Sequence, residues 1–267
     1  MIDYKKIFNA KLAPCGNFQD CYAFSIHKAG SSLMHKMIGE VCHSAGIPSI
    51  SIPDTLFNEG IFDKDWQNDE RLLDFFIPGK IFYGFRYLPE ILLNESLRLR
   101  EKKSVLLIRD PRDALVSQYF SFGGKNVSHK LPSKNQDTFL KEAQATSHLN
   151  IDQYVLQAAE IYLDKLNKYK ENLNFENVKL FKYEEIYFDK RKFLDNIFAH
   201  FGIPVESRLL DEVAEKNDVR PEVEDVAKHI RKGSPGDHVD KLMPETISKL
   251  NTIFAKICAW YGYDLST

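Results

Sequence analysis

The stretch Cys21 to Met34, CYAFSIHKAGSSLM, constrains this chain more than any other. Its first half is apolar enough for a buried strand. His27-Lys28-Ala29-Gly30-Ser31-Ser32 then brings small residues, hydroxyls and a cation to the point where a helix begins. A strand that ends in a tight turn and feeds a helix leaves several backbone N–H groups without intrahelical partners, at the positive end of the helix dipole. Gly30 permits close approach, Ser31 and Ser32 can cap or donate, and Lys28 can reach over a bound group. This is the layout of an anion-binding loop, and equally that of a Ser-capped helix with a solvated lysine. The lysine precedes the glycine, so the spacing of a Walker A loop is absent.

A second unit of the same kind follows. Ser104 to Ile108, SVLLI, is a continuous aliphatic run suited to a strand covered on both faces. It runs into Arg109-Asp110-Pro111-Arg112-Asp113 and then a helical pattern through Leu115, Val116 and Tyr119, with Pro111 in the first turn where its missing N–H costs nothing. In an open α/β sheet both polar turns lie at the carboxyl ends of their strands. A third polar loop, Arg231-Lys232-Gly233-Ser234-Pro235-Gly236-Asp237-His238, is too rich in Gly, Pro and Ser for regular structure.

The remaining pattern alternates in the same way. Periodicity predicts helices over Ser32–Ala45, Leu88–Arg100, Asp152–Tyr169, 190–201 and Met243–Trp260, with one or two more in 205–230. Ile81–Phe85 and Val178–Phe181 read as strands. Gly202 should end the 190–201 helix. Pro48, Pro53 and Pro78 break up a substrate-side region, 46–80, and 122–136 reads as a mobile loop near the site mouth. With 43% apolar residues and no linker or repeat, all 267 residues are expected to form one domain.

Charge narrows the partners. The 36 basic and 38 acidic residues give a formal charge of -2, which provides no global field for nucleic acid or an anionic membrane. Cys15, Cys21, Cys42 and Cys258 form no CxxC pair and lack histidines at metal-site spacing, so free thiols and no metal are expected. The N-terminus is too polar for a signal peptide and no apolar run approaches a membrane span, which makes a cytoplasmic, soluble protein the expectation.

Taken together, the three loops resemble those of the sulfotransferases that use 3'-phosphoadenosine-5'-phosphosulfate. That family's first loop reads approximately PKSGTTW, and this chain has His27-Lys28-Ala29-Gly30-Ser31-Ser32-Leu33. Its second motif, approximately RDPRDxxxSxY, is met at every fixed position by Arg109 to Tyr119. Its third, approximately RKGxxGDWK, is met from Arg231 to Val239 with His238 and Val239 substituted. A tyrosine-glutamate pair after a late strand is matched by Tyr183-Glu184. The resemblance implies a three-layer αβα fold around a mostly parallel sheet, of the P-loop NTPase-like sulfotransferase type. It implies that Lys28, Ala29, Gly30, Ser31, Ser32 and Leu33 bind the phosphosulfate end of the donor. Arg109, Ser117, Arg231, Lys232 and Gly233 would take the 3'-phosphate, and Tyr183 would lie near the adenine. The product would be adenosine 3',5'-bisphosphate, and the acceptor a hydroxyl of a small or glycan-like molecule.

The resemblance leaves the catalytic base open. Members acting on phenols and steroids carry a histidine in a KTHLP segment, where this chain has Phe85-Arg86-Tyr87-Leu88-Pro89. A tyrosine, with an ordinary pKa near 10, needs a strong cationic neighbour to act as a base near neutrality. His35 reads as packing, Asp54 and Glu90 border the acceptor side, and His129 and Glu59 are the candidates named for the base, beside Lys28 as stabiliser of the transferring group. Two other readings compete: a small-molecule kinase on a P-loop scaffold, and a non-catalytic protein that keeps the nucleotide pocket. Lys241 to Thr246 gives no clear match to the family's dimerisation motif, so a homo-oligomer is possible but not indicated.

Overall fold

The computed structural model describes residues 2–8, 15–123, 134, 136–137, 141, 146–220 and 233–265. His129, Arg231 and Lys232, and most of the predicted 122–136 loop, lie outside the described residues.

Five strands form one sheet: β1 Cys21–Ser25, β2 Ser49–Ser51, β3 Ile81–Phe85, β4 Ser104–Ile108 and β5 Val178–Lys182. Their order is β2-β3-β1-β4-β5 and every pairing is parallel. The continuous apolar runs explain which strands sit inside: β1 and β4 are buried at every residue, whereas β5 at the edge buries only Phe181. Helices cover both faces. Ser31–Ser44, Lys190–Phe201 and Ser207–Lys216 pack together on one side, and Pro111–Gln118, Ile151–Asn172 and Pro244–Tyr261 on the other. The result is the three-layer α/β arrangement expected from the sequence.

Boundaries of the strongly patterned elements agree closely with the sequence. The helix Lys190–Phe201 buries Phe193, Leu194, Ile197, Phe198 and Phe201, and Gly202 ends it in the left-handed region at φ 72°. Leu88–Arg100 is a correction. In place of one helix there are three short 3₁₀ turns, Glu90–Leu93, Glu95–Leu97 and Leu99–Glu101. The Asn94 side chain accepts from Ser96 N and starts a new turn, and Arg98 at φ 48° breaks the next. Region 46–80 is more regular than its prolines suggest: it supplies β2, the helices Ile52–Asn58 and Asp63–Trp66, and a 3₁₀ turn at Glu70–Phe75. All four cysteines are free thiols, and burial pushes those of Cys21, Cys42 and Cys258 up to about 12.

One register positions the site. Because β1 lies beside β4 with Ser25 opposite Leu107, and Ile26 N donates to Leu107 O at 3.0 Å, the two polar turns leave the sheet side by side.

His35 is buried under this edge with Nε2 3.4 Å from Ser25 Oγ. Burial, reinforced by the Arg86 charge and partly offset by Asp54, pushes its imidazole down to about 3. The unfolded chain, with an ordinary histidine near 6.5, therefore binds a proton that the native state refuses. The stability tied to the neutral ring is fully present above about pH 6.5 and falls by about 1.4 kcal/mol per pH unit below it. Urea unfolding of His35→Leu between pH 6.5 and 5 should show this slope removed, and an unchanged slope would contradict the assignment.

Candidate functional site

The first loop is held from outside by two tyrosines of the helix Ile151–Asn172. Tyr169 Oη donates to Ser25 O at 2.9 Å and Tyr162 Oη to His27 O at 3.1 Å. Within the loop Lys28 adopts φ 65° and Gly30 φ 83°. A positive φ is uncommon for a lysine and marks a backbone held for a purpose. The helix Ser31–Ser44 begins without any side-chain cap, and its first i→i−4 bond runs from Met34 N to Gly30 O at 3.0 Å. The N–H groups of Ser31, Ser32 and Leu33 therefore precede that first bond and are suited to an anion. Ala29 and Ser31 are buried, Leu33 is half-buried against the core and Ser32 is exposed. Lys28 Nζ donates to Ser121 Oγ at 2.6 Å.

Arg109, at the end of β4, meets this loop directly. Its side chain is buried, and Nη1 reaches Lys28 O at 3.4 Å while Nη2 reaches Asp113 Oδ2 at 3.3 Å and Ser234 O at 3.5 Å. These contacts are long, and Nε makes no hydrogen bond at all. A buried guanidinium with weakly engaged donors is a good partner for a phosphate. The rest of the Arg109–Asp113 turn is structural. Asp110 accepts from Arg112 N at 2.9 Å and pairs with the Arg112 guanidinium at 2.7 Å, while Asp110 N donates to Glu184 Oε1 at 2.9 Å.

Asp113 ties the third loop to the second. Its carboxylate accepts from Gly236 N at 2.6 Å and His238 N at 2.9 Å, and His238 Nδ1–H lies 2.7 Å from Oδ1. Burial alone would raise the carboxyl. The hydrogen bonds from His238 and the charge of Arg109 outweigh it and hold Asp113 well below the usual carboxylate range.

Tyr183, just past β5, closes the arrangement. The Arg109 guanidinium lies 4.5 Å from its ring centroid, and its hydroxyl donates to Gly233 O at 2.5 Å. A Cβ added to Gly30 would fall 2.7 Å from a ring carbon. The ring thus touches all three loops at once.

A family model described as a sulfotransferase domain matches residues 86–262, more than half of the chain, including Arg109, Asp113 and Tyr183. The chain belongs to the sulfotransferase domain family. No curated protein sequence matches it. Its fold is similar to that of mouse sulfotransferase SULT7A1 complexed with PAP, at 17% identity and a TM-score of 0.61, over 96% of this chain and 90% of that one. Retinol dehydratase, in complex with androsterone and inactive cofactor PAP, aligns over 96% of this chain and 84% of its own at 15% identity and a TM-score of 0.47. A sulfotransferase from Alicyclobacillus acidocaldarius aligns over 96% and 98% at 15% identity and 0.46. The mouse structure carries the likeness of fold.

In this sulfotransferase domain Lys28, Arg109, Tyr183 and Gly233 come together in one cleft. Ser117 lies half-buried in the last turn of Pro111–Gln118, one turn beyond Asp113 on the same face. Glu59 ends the helix Ile52–Asn58 and pairs with Lys134 at 2.5 Å. The sequence reading missed Asp113, Ser121, Tyr162 and Tyr169 as parts of the site. Asp113 sits in the second motif as its closing aspartate, whereas the tyrosines are ordinary members of an apolar helical stripe. No cluster of His, Cys, Asp or Glu among the described residues is arranged to hold a metal, and no helix among them is long and apolar enough to cross a membrane.

Removing the Asp113 carboxylate strips Arg109 of its partner and frees the Gly236 turn at one stroke. Asp113→Ala should cost about 3–5 kcal/mol of unfolding free energy in urea at pH 7. A loss below about 1 kcal/mol would show that the carboxylate does not tie these loops.

Proposed function

We propose that this protein transfers a sulfuryl group from 3'-phosphoadenosine-5'-phosphosulfate to a hydroxyl of a small-molecule or glycan-like acceptor. The observation that carries the reading is the contact of Arg109 with the backbone of Lys28, both at the carboxyl edge of the sheet. A donor with phosphate at both ends needs two anion seats separated by a nucleoside, and the two turns are built as such seats. Supporting it, the solved sulfotransferase SULT7A1 is described as a complex with PAP.

In this reading Lys28, Ala29, Gly30, Ser31, Ser32 and Leu33 hold the phosphosulfate end through loop N–H groups and the ammonium. Arg109, Ser117 and Gly233 take the 3'-phosphate, with Arg231 and Lys232 from the segment outside the described residues. Tyr183 is placed at the edge of the adenine site, its ring already packed on Arg109. No metal is needed by these roles.

The chemistry follows from the charges. In-line transfer builds negative charge on the departing phosphate oxygen and on the equatorial sulfuryl oxygens, where Lys28 and the helix N–H groups are the stabilisers. Holding both ends of the donor fixes its sulfur relative to the acceptor. Ser121, which accepts the Lys28 ammonium at 2.6 Å, offers the lysine a second position when it is not needed there.

Incubation with sulfur-35-labelled donor and a mixed metabolite extract should label an acceptor. Lys28→Ala should lower that transfer on the order of a hundredfold while the protein still binds adenosine 3',5'-bisphosphate. Undiminished transfer by the variant, or magnesium-dependent turnover of ATP in its place, would sink the reading.

A further inference from the structure

The substrate-side region contributes the short helix Asp63–Trp66. Asp63 is open to solvent along one side, yet protein surrounds the rest of its carboxylate: Tyr87 and Trp66 stand beside it, and Lys165 and Arg86 are the cations that act on it. Trp66 Nε1 and Tyr87 Oη are buried atoms that close no hydrogen bond of normal geometry, and their rings lie 6.3 Å apart. Two buried donors gathered at one carboxylate distinguish this place from an ordinary surface acid.

Its location is given by the neighbours. Lys165 belongs to the face of Ile151–Asn172 that grips the first loop, about one turn from Tyr162 on His27 O and from Tyr169 on Ser25 O. Tyr87 comes two residues after β3, the strand beside β1, and Tyr169 is among the groups that act on it. Asp63, Tyr87 and Lys165 therefore converge where β1 and β3 deliver their carboxyl ends, next to the loop that carries Lys28.

The other carboxylates of this side are engaged. Asp54 is held by Arg86 at 2.8 Å, Glu59 by Lys134 at 2.5 Å and Glu90 by Lys168. Asp63 makes no ion pair of that kind among the described residues. Arg86 is also bound to Gly84 O at 3.0 Å, which leaves Lys165 as the cation available to Asp63. Burial pushes the Asp63 carboxyl up against the pull of Lys165, Arg86, Tyr87 and Trp66, and pushes the Lys165 ammonium down. Acid and base are thereby brought closer in proton affinity, the condition for moving a proton near neutral pH.

We propose that Asp63 takes the proton of the acceptor hydroxyl, with Lys165 and Tyr87 as positioning residues that hold its carboxylate. This deepens, and rests on, the sulfuryl-transfer reading. As the acceptor oxygen bonds to sulfur, its proton passes to an Asp63 oxygen. The bond from sulfur to the 5'-phosphate oxygen breaks, and its electron pair leaves on that oxygen, with nothing oxidised or reduced. Tyr87, its phenol pushed up by burial and by Asp63, stays protonated and donates.

Water serves as the acceptor in a test that needs no knowledge of the natural one. Release of labelled sulfate from the donor should fall on the order of a hundredfold in Asp63→Asn, with affinity for adenosine 3',5'-bisphosphate unchanged. Formate should restore release in Asp63→Ala, as a merely structural role would not. The rate should rise with pH as Asp63 ionises, and Lys165→Met should move that rise to higher pH because it removes the cation favouring the carboxylate. Release by Asp63→Asn equal to that of the unchanged protein, or no rescue by formate, overturns the proposal. Failure of the unchanged protein to bind the bisphosphate, or to release sulfate faster than buffer, overturns the sulfuryl-transfer reading and this proposal with it.

Discussion

The packing of one ring, Tyr183, is the constraint on which the cleft depends. It is covered by the Arg109 guanidinium, lies against a glycine that could not carry a Cβ without striking it, and is tethered through its hydroxyl to Gly233. The three polar loops come from residues far apart in the chain, yet each has one point of contact with this side chain. Parallel pairing of β1 with β4 delivers the first two loops to the same edge, and the helix that starts at Tyr183 after β5 adds the ring that fixes their spacing. Sheet order and side-chain packing together define where two anions can be held.

Electrostatics then divides the charged residues into two kinds. Asp110, Arg112 and Asp113 are buried and saturated with partners, and their work is to hold backbone in place. Arg109 and Lys28 are bound less completely. A buried ion pair is a poor source of net stability but expensive to break. Such a network can therefore fix loop geometry without adding much to folding free energy. The acceptor side follows the same division: Asp54, Glu59 and Glu90 are tied up, and Asp63 sits in a half-open pocket with a lysine for company.

What could be read from the sequence tracks the length of its signals. SVLLI running into RDPRD declared both a central strand and the turn after it, and β4 and Pro111–Gln118 appear where expected. The helix Ser31–Ser44 and its uncapped start were equally legible. The strand β2 was not, because three residues between Pro48 and Ile52-Pro53 show no alternation to recognise. Leu88–Arg100 had helical spacing, but Asn94 and Arg98 impose local turns that periodicity does not register. Asp63 escaped notice for a related reason. A lone aspartate in an irregular stretch has no pattern, and its meaning comes from Tyr87 and Lys165, which are distant in sequence. Glu59 attracted attention as a carboxylate on the right side, although its partner Lys134 could not be foreseen.

The central claim is that the Lys28 and Arg109 turns together hold one nucleotide bearing an anion at each end. Calorimetric titration with adenosine 3',5'-bisphosphate and with 5'-AMP tests it most directly. The unchanged protein should favour the bisphosphate by about 3 kcal/mol, on the order of a hundredfold, and Arg109→Ala should erase that preference while leaving 5'-AMP binding nearly the same. Equal affinity for the two nucleotides in the unchanged protein, or tighter binding of ADP than of the bisphosphate, would contradict the account.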